Sequence, residues 1–81
     1  MAASVSADLV AYLARQLVDE PEAVHVEEIE EDGALVLRLH VAQDDLGKVI
    51  GRGGRIVRAL RAVVRASAVR EDRRVLLEIV E

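Results

Sequence analysis

Residues 47–56 read GKVIGRGGRI: one glycine, a short apolar run, and then three glycines within four positions, with arginines between and after them. The chain has five glycines, and only Gly33 lies outside this stretch. A tight corner between two helices needs one glycine or a pair, for capping or for positive φ. Three of them cost additional backbone entropy, which favours a loop whose backbone closely approaches a ligand over a plain corner.

An anion is the ligand that such a loop favours. A backbone without β-carbons lets amide groups and the N-terminus of a following helix face negative charge directly, and Arg52 and Arg55 can add charge-assisted contacts. A P-loop does not fit, because a short helix precedes the glycines and no Lys-Ser or Lys-Thr pair follows them. A dinucleotide fingerprint fails for want of a preceding strand and a suitably placed acid.

The charge is distributed unevenly along the chain. Its formal net charge is −4, and residues 1–45 hold eleven acids and only two arginines. Residues 46–70 hold seven basic residues and no acid. The local field around the glycines therefore says more about a partner than the net charge does.

The first segment predicts a helix from Val5 to Val18, capped by Ser4 or Ser6 and ended before Pro21. Its larger apolar residues recur at helical spacing and predict the buried face, with Tyr12 in the core: Val5, Leu9, Tyr12, Leu13 and Leu17.

The pair Asp32-Gly33 lies between two strand-like runs and predicts a two-residue hairpin turn. Opposing residues, whose numbers sum to 65, then form the pairs Val24–Val41, His25–His40, Val26–Leu39 and Glu27–Arg38. In this register Glu28 and Glu30 fall on the core side near the turn. They must lie beyond the edge of the core, or a bulge must intervene.

The second half predicts a short helix from Asp44 or Asp45, as cap, to Ile50, the glycine loop, and a longer helix to about Ser67. The apolar arc of the longer helix comprises Ile56, Ala59, Leu60, Val63 and Ser67. A last strand places Val75, Leu77 and Ile79 on one face.

The resulting order is α-β-β-α-α-β in one domain of residues 1–81. A crossover containing two helices links parallel strands, and the hairpin adds an antiparallel one. We therefore expect an α+β fold with a mixed three-stranded sheet and three helices packed on one face.

The run Ile50-Gly51-Arg52-Gly53-Gly54-Arg55-Ile56 resembles the I-G-x-x-G-x-I core of a KH domain, whose GXXG loop clamps the backbone of four nucleotides. The element order matches the type II KH fold, and the chain is similar to the KhpA family of small bacterial RNA-binding proteins over essentially its whole length. The resemblance implies a single-stranded RNA (or DNA) site in a groove between the two central helices and the sheet.

Site residues follow from this resemblance by position. Gly51, Arg52, Gly53 and Gly54 would form the phosphate-binding loop, and Val49, Ile50, Ile56 and Leu60 an aliphatic floor for bases. Arg70, Arg73 and Arg74 would flank the groove. Arg55 is expected to contact phosphate, and Lys48 and Arg58 complete the predicted set of RNA-binding residues. Arg61 and Arg65 are assigned to solvent or to a weak second contact with RNA. Many KH loops have a polar residue where this chain has Gly53, so the loop is expected to be looser and to bind more weakly.

Other classes of function are disfavoured. The single aromatic residue cannot build the stacking platform of RRM or OB-fold readers. We find no cysteine, no nucleophile–base pair and no metal set, since His25 and His40 alone are too few ligands. We therefore expect no catalysis, no metal and no cofactor. The first residues have neither a basic n-region nor an uninterrupted apolar run, so we expect a cytoplasmic protein.

The resemblance also implies partners. It implies a homodimer, or a heterodimer with a larger RNA-binding protein that carries its own KH domain, and a role as an RNA chaperone or post-transcriptional regulator. The alternative is a protein–protein interaction module with a KH fold that does not bind RNA, in which the groove or a strand edge holds a partner chain.

Overall fold

The computed structural model describes residues 4–81 and confirms the predicted order of elements. The helices are α1 (Val5–Leu17), α2 (Leu46–Ile50) and α3 (Arg55–Glu71). The strands are β1 (His25–Glu31), β2 (Ala34–His40) and β3 (Val75–Ile79). Short 3-10 turns occupy Pro21–Ala23, Gln43–Asp45 and Arg52–Gly54.

The strands form one mixed sheet in the order β1-β2-β3. Strand β1 pairs antiparallel with β2, and β3 pairs parallel with β2 across the α2–α3 crossover. The α+β class and the type II KH arrangement are thereby confirmed. The centre of the core is the helix-facing side of β2, where Leu35, Leu37 and Leu39 are almost fully buried.

The hairpin has the predicted register. His25 pairs with His40, and Glu27 pairs with Arg38. Asp32 and Gly33 both have positive φ, at 51° and 80°, as a type I′ turn requires.

The seven pairs from His25–His40 to Glu31–Ala34 run without a bulge. Of the two explanations for Glu28 and Glu30, the edge position is the correct one, because both side chains are exposed at the margin of the core. The Glu28 carboxylate accepts a hydrogen bond from the Ser4 amide at 3.4 Å.

Helix α1 begins as predicted but buries a different face. The Ser4 hydroxyl accepts a hydrogen bond from the Ala7 amide at 2.9 Å, which confirms the cap. The predicted apolar face is only partly correct: Leu13 packs against the core, but Tyr12 is 61% exposed and Val5 is 54% exposed. The buried residues are small: Ser6, Ala7, Val10 and Ala14. Small side chains allow α1 to approach its neighbours closely, and the Ser6 and Ser67 hydroxyls meet at 2.7 Å between α1 and α3.

Helix α3 shows the same displacement. It extends to Glu71, four residues beyond the predicted end, and Asp72 ends it in the left-handed conformation at φ 54°. The fully buried residues are Val57, Leu60 and Val64, so Leu60 is the one member of the predicted arc that is fully buried, while Ile56 packs against the core from a half-buried position. Ala59 is exposed, and Ile56 and Val63 are half-buried. The arc that looked like a core face is turned toward α1 and solvent.

Within residues 4–81, no helix combines the length and the apolar character that crossing a membrane would require.

Candidate nucleic-acid interface

The loop Gly51–Gly54, called the glycine loop below, joins the five-residue helix α2 to α3. The Gly51 amide donates to the Gly47 carbonyl at 2.9 Å, which ends α2, and the Gly54 amide donates to the Gly51 carbonyl at 3.0 Å. All three glycines have positive φ: 77° at Gly51, 63° at Gly53 and 76° at Gly54. The loop therefore uses a backbone conformation that residues with a β-carbon rarely adopt.

Two of these glycines serve different purposes. A β-carbon on Gly51 would lie 2.7 Å from Ile56 Cγ1 and 2.9 Å from the Ile56 nitrogen. Gly51 also has ψ 167°, in a region that is essentially restricted to glycine. A β-carbon on Gly53 would meet nothing within 4 Å. Gly51 is therefore required by packing within the protein, whereas Gly53 faces open space where a ligand can approach.

The arginines around the loop are also used differently. Arg52 and Arg55 are exposed, and no salt bridge within residues 4–81 involves either of them. Arg58, by contrast, donates from Nη1 to the Gly53 carbonyl at 2.7 Å. Arg52 and Arg55 are available to an incoming anion, whereas Arg58 already holds the loop.

Lys48 is occupied by acids. Its Nζ lies 3.2 Å from Asp19 Oδ2 and 3.5 Å from Asp45 Oδ1. The hydrogen bond and the charge of Asp19 raise the pKa of Lys48, and Asp45 adds to this against a smaller opposing effect of burial. Lys48 is predicted to bind RNA, and here it joins the α1–β1 connection to α2.

The predicted aliphatic floor is divided. Val49 is fully buried in the core, and Leu60 is 4% exposed. Ile50 and Ile56 are half-buried. Among these four side chains, therefore, Ile50 and Ile56 offer appreciable surface to a ligand.

Helix α3 separates two grooves. The first, called the apolar groove, lies between α1 and α3 and has a volume of about 390 Å³. Its walls are aliphatic apart from one amide and one arginine, and they comprise Leu13, Gln16, Leu17, Arg55, Ile56, Ala59, Leu60 and Val63.

The second, called the arginine groove, lies between α3 and the edge strand β3 and has a volume of about 160 Å³. It is lined by Arg61, Val64, Arg65, Val75, Leu76 and Leu77. From the sequence, Arg61 and Arg65 were assigned to solvent or to a weak second contact with RNA, and the structure places both in this groove. Two features of the sequence could have indicated this groove. The two arginines are four residues apart, which places them on the same side of α3. The strand that follows α3 was predicted to be parallel to β2, which brings that strand beside the helix.

The remaining predicted arginines lie at the other end of α3. This helix has 17 residues, so its axis is about 25 Å long. Arg70 is in its last turn, and Arg73 pairs with Glu30 on β1. That hydrogen bond to Glu30 is the main reason why the pKa of Arg73 is raised. Arg74 lies beside the hairpin turn, in a depression shared with Glu31 and Asp32. The structure does not bring these three arginines together with the glycine loop.

The two histidines face each other across the hairpin, with ring centroids 5.5 Å apart. His40 Nε2 lies 3.2 Å from Glu27 Oε1. Within residues 4–81, no group of three or more histidine or acidic side chains is arranged to hold a metal ion.

Comparison with known proteins identifies relatives of this chain. The family model for the KhpA/KhpB KH domain matches residues 7–79. The RNA-binding protein KhpA of Clostridium perfringens is 47% identical over 73 residues, which cover 90% of this chain and 97% of that protein. The RNA-binding protein KhpA of Treponema pallidum is 49% identical over 74 residues, which cover 91% and 92%. A crystal structure of Aquifex aeolicus Era superimposes with a TM-score of 0.62 at 22% identity, over 93% of this chain and 29% of that one, and shows the fold alone.

Proposed function

The chain belongs to the KhpA/KhpB KH-domain family, and from this premise we propose that it is a non-catalytic protein that binds single-stranded RNA through the glycine loop. The relatives of comparable length are named RNA-binding proteins. The observation that carries the proposal is the open backbone at Gly53, where a β-carbon would meet nothing within 4 Å. The free arginines Arg52 and Arg55 flank it in a segment without acids.

The RNA backbone would pass over the glycine loop and continue along the arginine groove. Arg61 and Arg65 line that groove and can neutralise phosphates that follow those held at the loop. Ile50 and Ile56, half-buried on either side of the loop, offer aliphatic contact to bases in place of aromatic stacking. A single KH unit binds about four nucleotides, so we expect modest affinity and weak selectivity.

The apolar groove is suited to a protein rather than to RNA. Its one charged wall residue, Arg55, is next to the glycine loop, and the rest of its length is aliphatic apart from Gln16. Several apolar residues of α1 and α3 line it without being fully buried, including Leu17, which is 37% exposed. Covering such a surface is favourable by about 25 cal/mol per Å².

We therefore propose that this groove pairs the chain with a second copy, or with the KH domain of a larger RNA-binding protein. Two KH units on one RNA would gain affinity through effective concentration. Such a pair acting in the cytoplasm would serve as an RNA chaperone or a post-transcriptional regulator.

The test compares two substitutions at one position. Gly53→Asp and Gly53→Asn have side chains of the same shape, both residues tolerate positive φ, and the β-carbon of either would meet nothing within 4 Å. The aspartate adds a negative charge where phosphates would pass. We expect a fluorescent RNA oligonucleotide, followed by anisotropy at two salt concentrations, to bind wild type and Gly53→Asn with affinities within about threefold. Binding to Gly53→Asp should weaken by at least about thirtyfold, or about 2 kcal/mol.

Circular dichroism of both variants controls for folding. If folded wild type fails to bind RNA at low salt, RNA binding is not the function and the protein-interaction module takes its place. If the two variants weaken binding equally, the charge of the loop is not what the RNA meets.

A further inference from the structure

The glycine loop depends on a short helix that needs external support. Helix α2 has five residues, whereas an isolated helix needs about 12 residues to be stable in water. Asp45 occupies its N-cap position, yet the Asp45 side chain makes no capping hydrogen bond to the helix. The sequence predicts Asp44 or Asp45 as a side-chain cap, and the carboxylate of Asp45 is instead used elsewhere.

The Asp45 carboxylate joins two distant parts of the chain. Its Oδ1 accepts a hydrogen bond from the Asp19 amide at 3.2 Å, and its Oδ2 accepts one from the Glu20 amide at 3.1 Å. Both amides belong to the connection between α1 and β1. Lys48, one turn into α2, lies 3.5 Å from Asp45 Oδ1 and completes the link.

Asp45 is also the most deeply buried charged residue in the described part of the chain, at 1% exposure. A buried carboxylate is costly unless hydrogen bonds and opposite charge compensate it. Burial raises the pKa of Asp45, but the amides of Asp19 and Glu20 together with Lys48 lower it by more, so the net shift is downward. The site therefore holds the ionised form.

We propose that Asp45 is a positioning residue for RNA binding: its carboxylate fixes α2, and with it the glycine loop, against the α1–β1 connection without itself touching RNA. This inference rests on the proposed function. The end of α2 sets the loop, because the Gly51 amide that begins it is bonded to the Gly47 carbonyl. If α2 shifts, Gly53 and the amides near it move relative to α3.

The experiment compares Asp45→Asn with Asp44→Asn. Both substitutions replace an acid by its amide at adjacent positions and change the net charge equally, but Asp44 is exposed. In Asp45→Asn one carboxylate oxygen becomes an NH₂ group, which cannot accept the hydrogen bond of a backbone amide. RNA affinity and its salt dependence are measured by anisotropy, and local opening is measured by hydrogen exchange of the full chain.

We expect Asp45→Asn to bind RNA about fivefold more weakly than Asp44→Asn, which corresponds to a loop that is correctly positioned about a fifth of the time. The slope of log affinity against log salt should be unchanged, because every side chain that meets a phosphate is retained. Hydrogen exchange should accelerate at the Asp19 and Glu20 amides and across Leu46–Gly51, while β2 remains protected.

Equal RNA affinity of the two variants would overturn the inference, as would equal exchange at Asp19 and Glu20. If Asp45→Asn does not fold, hydrogen exchange of the wild-type protein provides the test. Exchange of the Asp19 and Glu20 amides at the rate of an unfolded chain would overturn the inference, and strong protection of these amides would support it. Failure of wild type to bind RNA would instead refute the proposed function, since the exchange measurement is independent of RNA.

Discussion

The two grooves beside α3 differ in chemistry although they share one helix. Toward α1 the helix presents Ile56, Ala59 and Val63 in an almost wholly apolar wall. Toward β3 it presents Arg61 and Arg65 above the edge of the sheet. Residues four apart on the same helix surface share a groove, so a rotation of less than half a turn separates an aliphatic surface from a cationic one.

This difference is the basis on which we propose separate partners for the two sides of α3. Aliphatic surface that remains exposed in a single chain gains free energy when another protein covers it. Arginines beside an edge strand gain little from another protein's aliphatic side chains but can each neutralise a phosphate. The glycine loop lies at the start of α3 beside the apolar groove, and the arginine groove begins about two turns further along the helix, at Arg61. In the proposed function, an RNA bound at the loop continues into the arginine groove while a partner covers the apolar one.

The largest expected effect concerns the apolar groove. Leu17→Glu should weaken self-association by about a hundredfold, because it places an unpaired carboxylate in an apolar interface and removes the 37% of Leu17 that a partner could still cover. Sedimentation equilibrium measures this, with Val69→Glu as the control, since Val69 is 81% exposed and lies outside both grooves. The affinity of one chain for a short oligonucleotide should not change.

If Leu17→Glu and Val69→Glu associate as wild type does, pairing does not use the apolar groove. If Leu17→Glu abolishes binding of the short oligonucleotide while the protein stays folded, RNA itself lies in this groove and the assignment of the two sides is reversed.

An intermediate effect is expected in the arginine groove. Replacing both Arg61 and Arg65 by glutamine should weaken RNA binding by about tenfold and reduce the salt slope by about 1.4, or about 0.7 for each phosphate that is no longer neutralised. Self-association should be unaffected. Anisotropy titrations at several salt concentrations give both quantities.

Arg15→Gln provides the reference for general loss of charge, since Arg15 is an exposed arginine on α1. If the double variant, which loses two positive charges, weakens RNA binding by no more than twice the free-energy change caused by Arg15→Gln, which loses one, Arg61 and Arg65 return to the role of a solvated helix face.

The smallest effect on RNA binding is expected for Arg58, the arginine that holds the glycine loop. Arg58→Gln should weaken RNA binding by about threefold, because the hydrogen bond to the Gly53 carbonyl holds the loop and such bonds contribute about 1 kcal/mol. The salt slope should stay at its wild-type value. A slope lower by about 0.7 would mean that Arg58 leaves Gly53 and binds a phosphate directly.

Local patterns in the sequence were sufficient for much of the fold. The positive φ demanded at Asp32-Gly33 selects a type I′ turn, and this turn alone determines every pair of the hairpin. The two-helix crossover before β3 requires a parallel partner, which places β3 beside β2. The glycine loop was equally visible, because positive φ at three positions can be met by few residues other than glycine.

The use of individual charged side chains was not visible. Lys48, Arg58 and Arg73 were all predicted to bind RNA, and each already has a partner within the protein. Lys48 contacts Asp19 and Asp45, Arg58 donates to the Gly53 carbonyl, and Arg73 pairs with Glu30. The contact of Lys48 with Asp19 requires the α1–β1 connection to lie against α2. The pair Arg73–Glu30 requires β1 to lie beside the α3–β3 connection. The contacts of Lys48 with Asp45 and of Arg58 with Gly53 are local in sequence, but Lys48–Asp19 and Arg73–Glu30 join residues far apart in the chain, whose proximity no local spacing encodes.

The sequence by itself determined the order of elements, the hairpin register and the glycine loop, because each depends on the conformations open to a few neighbouring residues. Only the tertiary structure decided which face of α1 and α3 is buried. Helical periodicity identifies the most apolar stripe, but close packing against the sheet and between α1 and α3 selected small residues such as Ala7 and Ala14 for the core. Larger side chains such as Leu17 and Val63 were left partly exposed in the apolar groove.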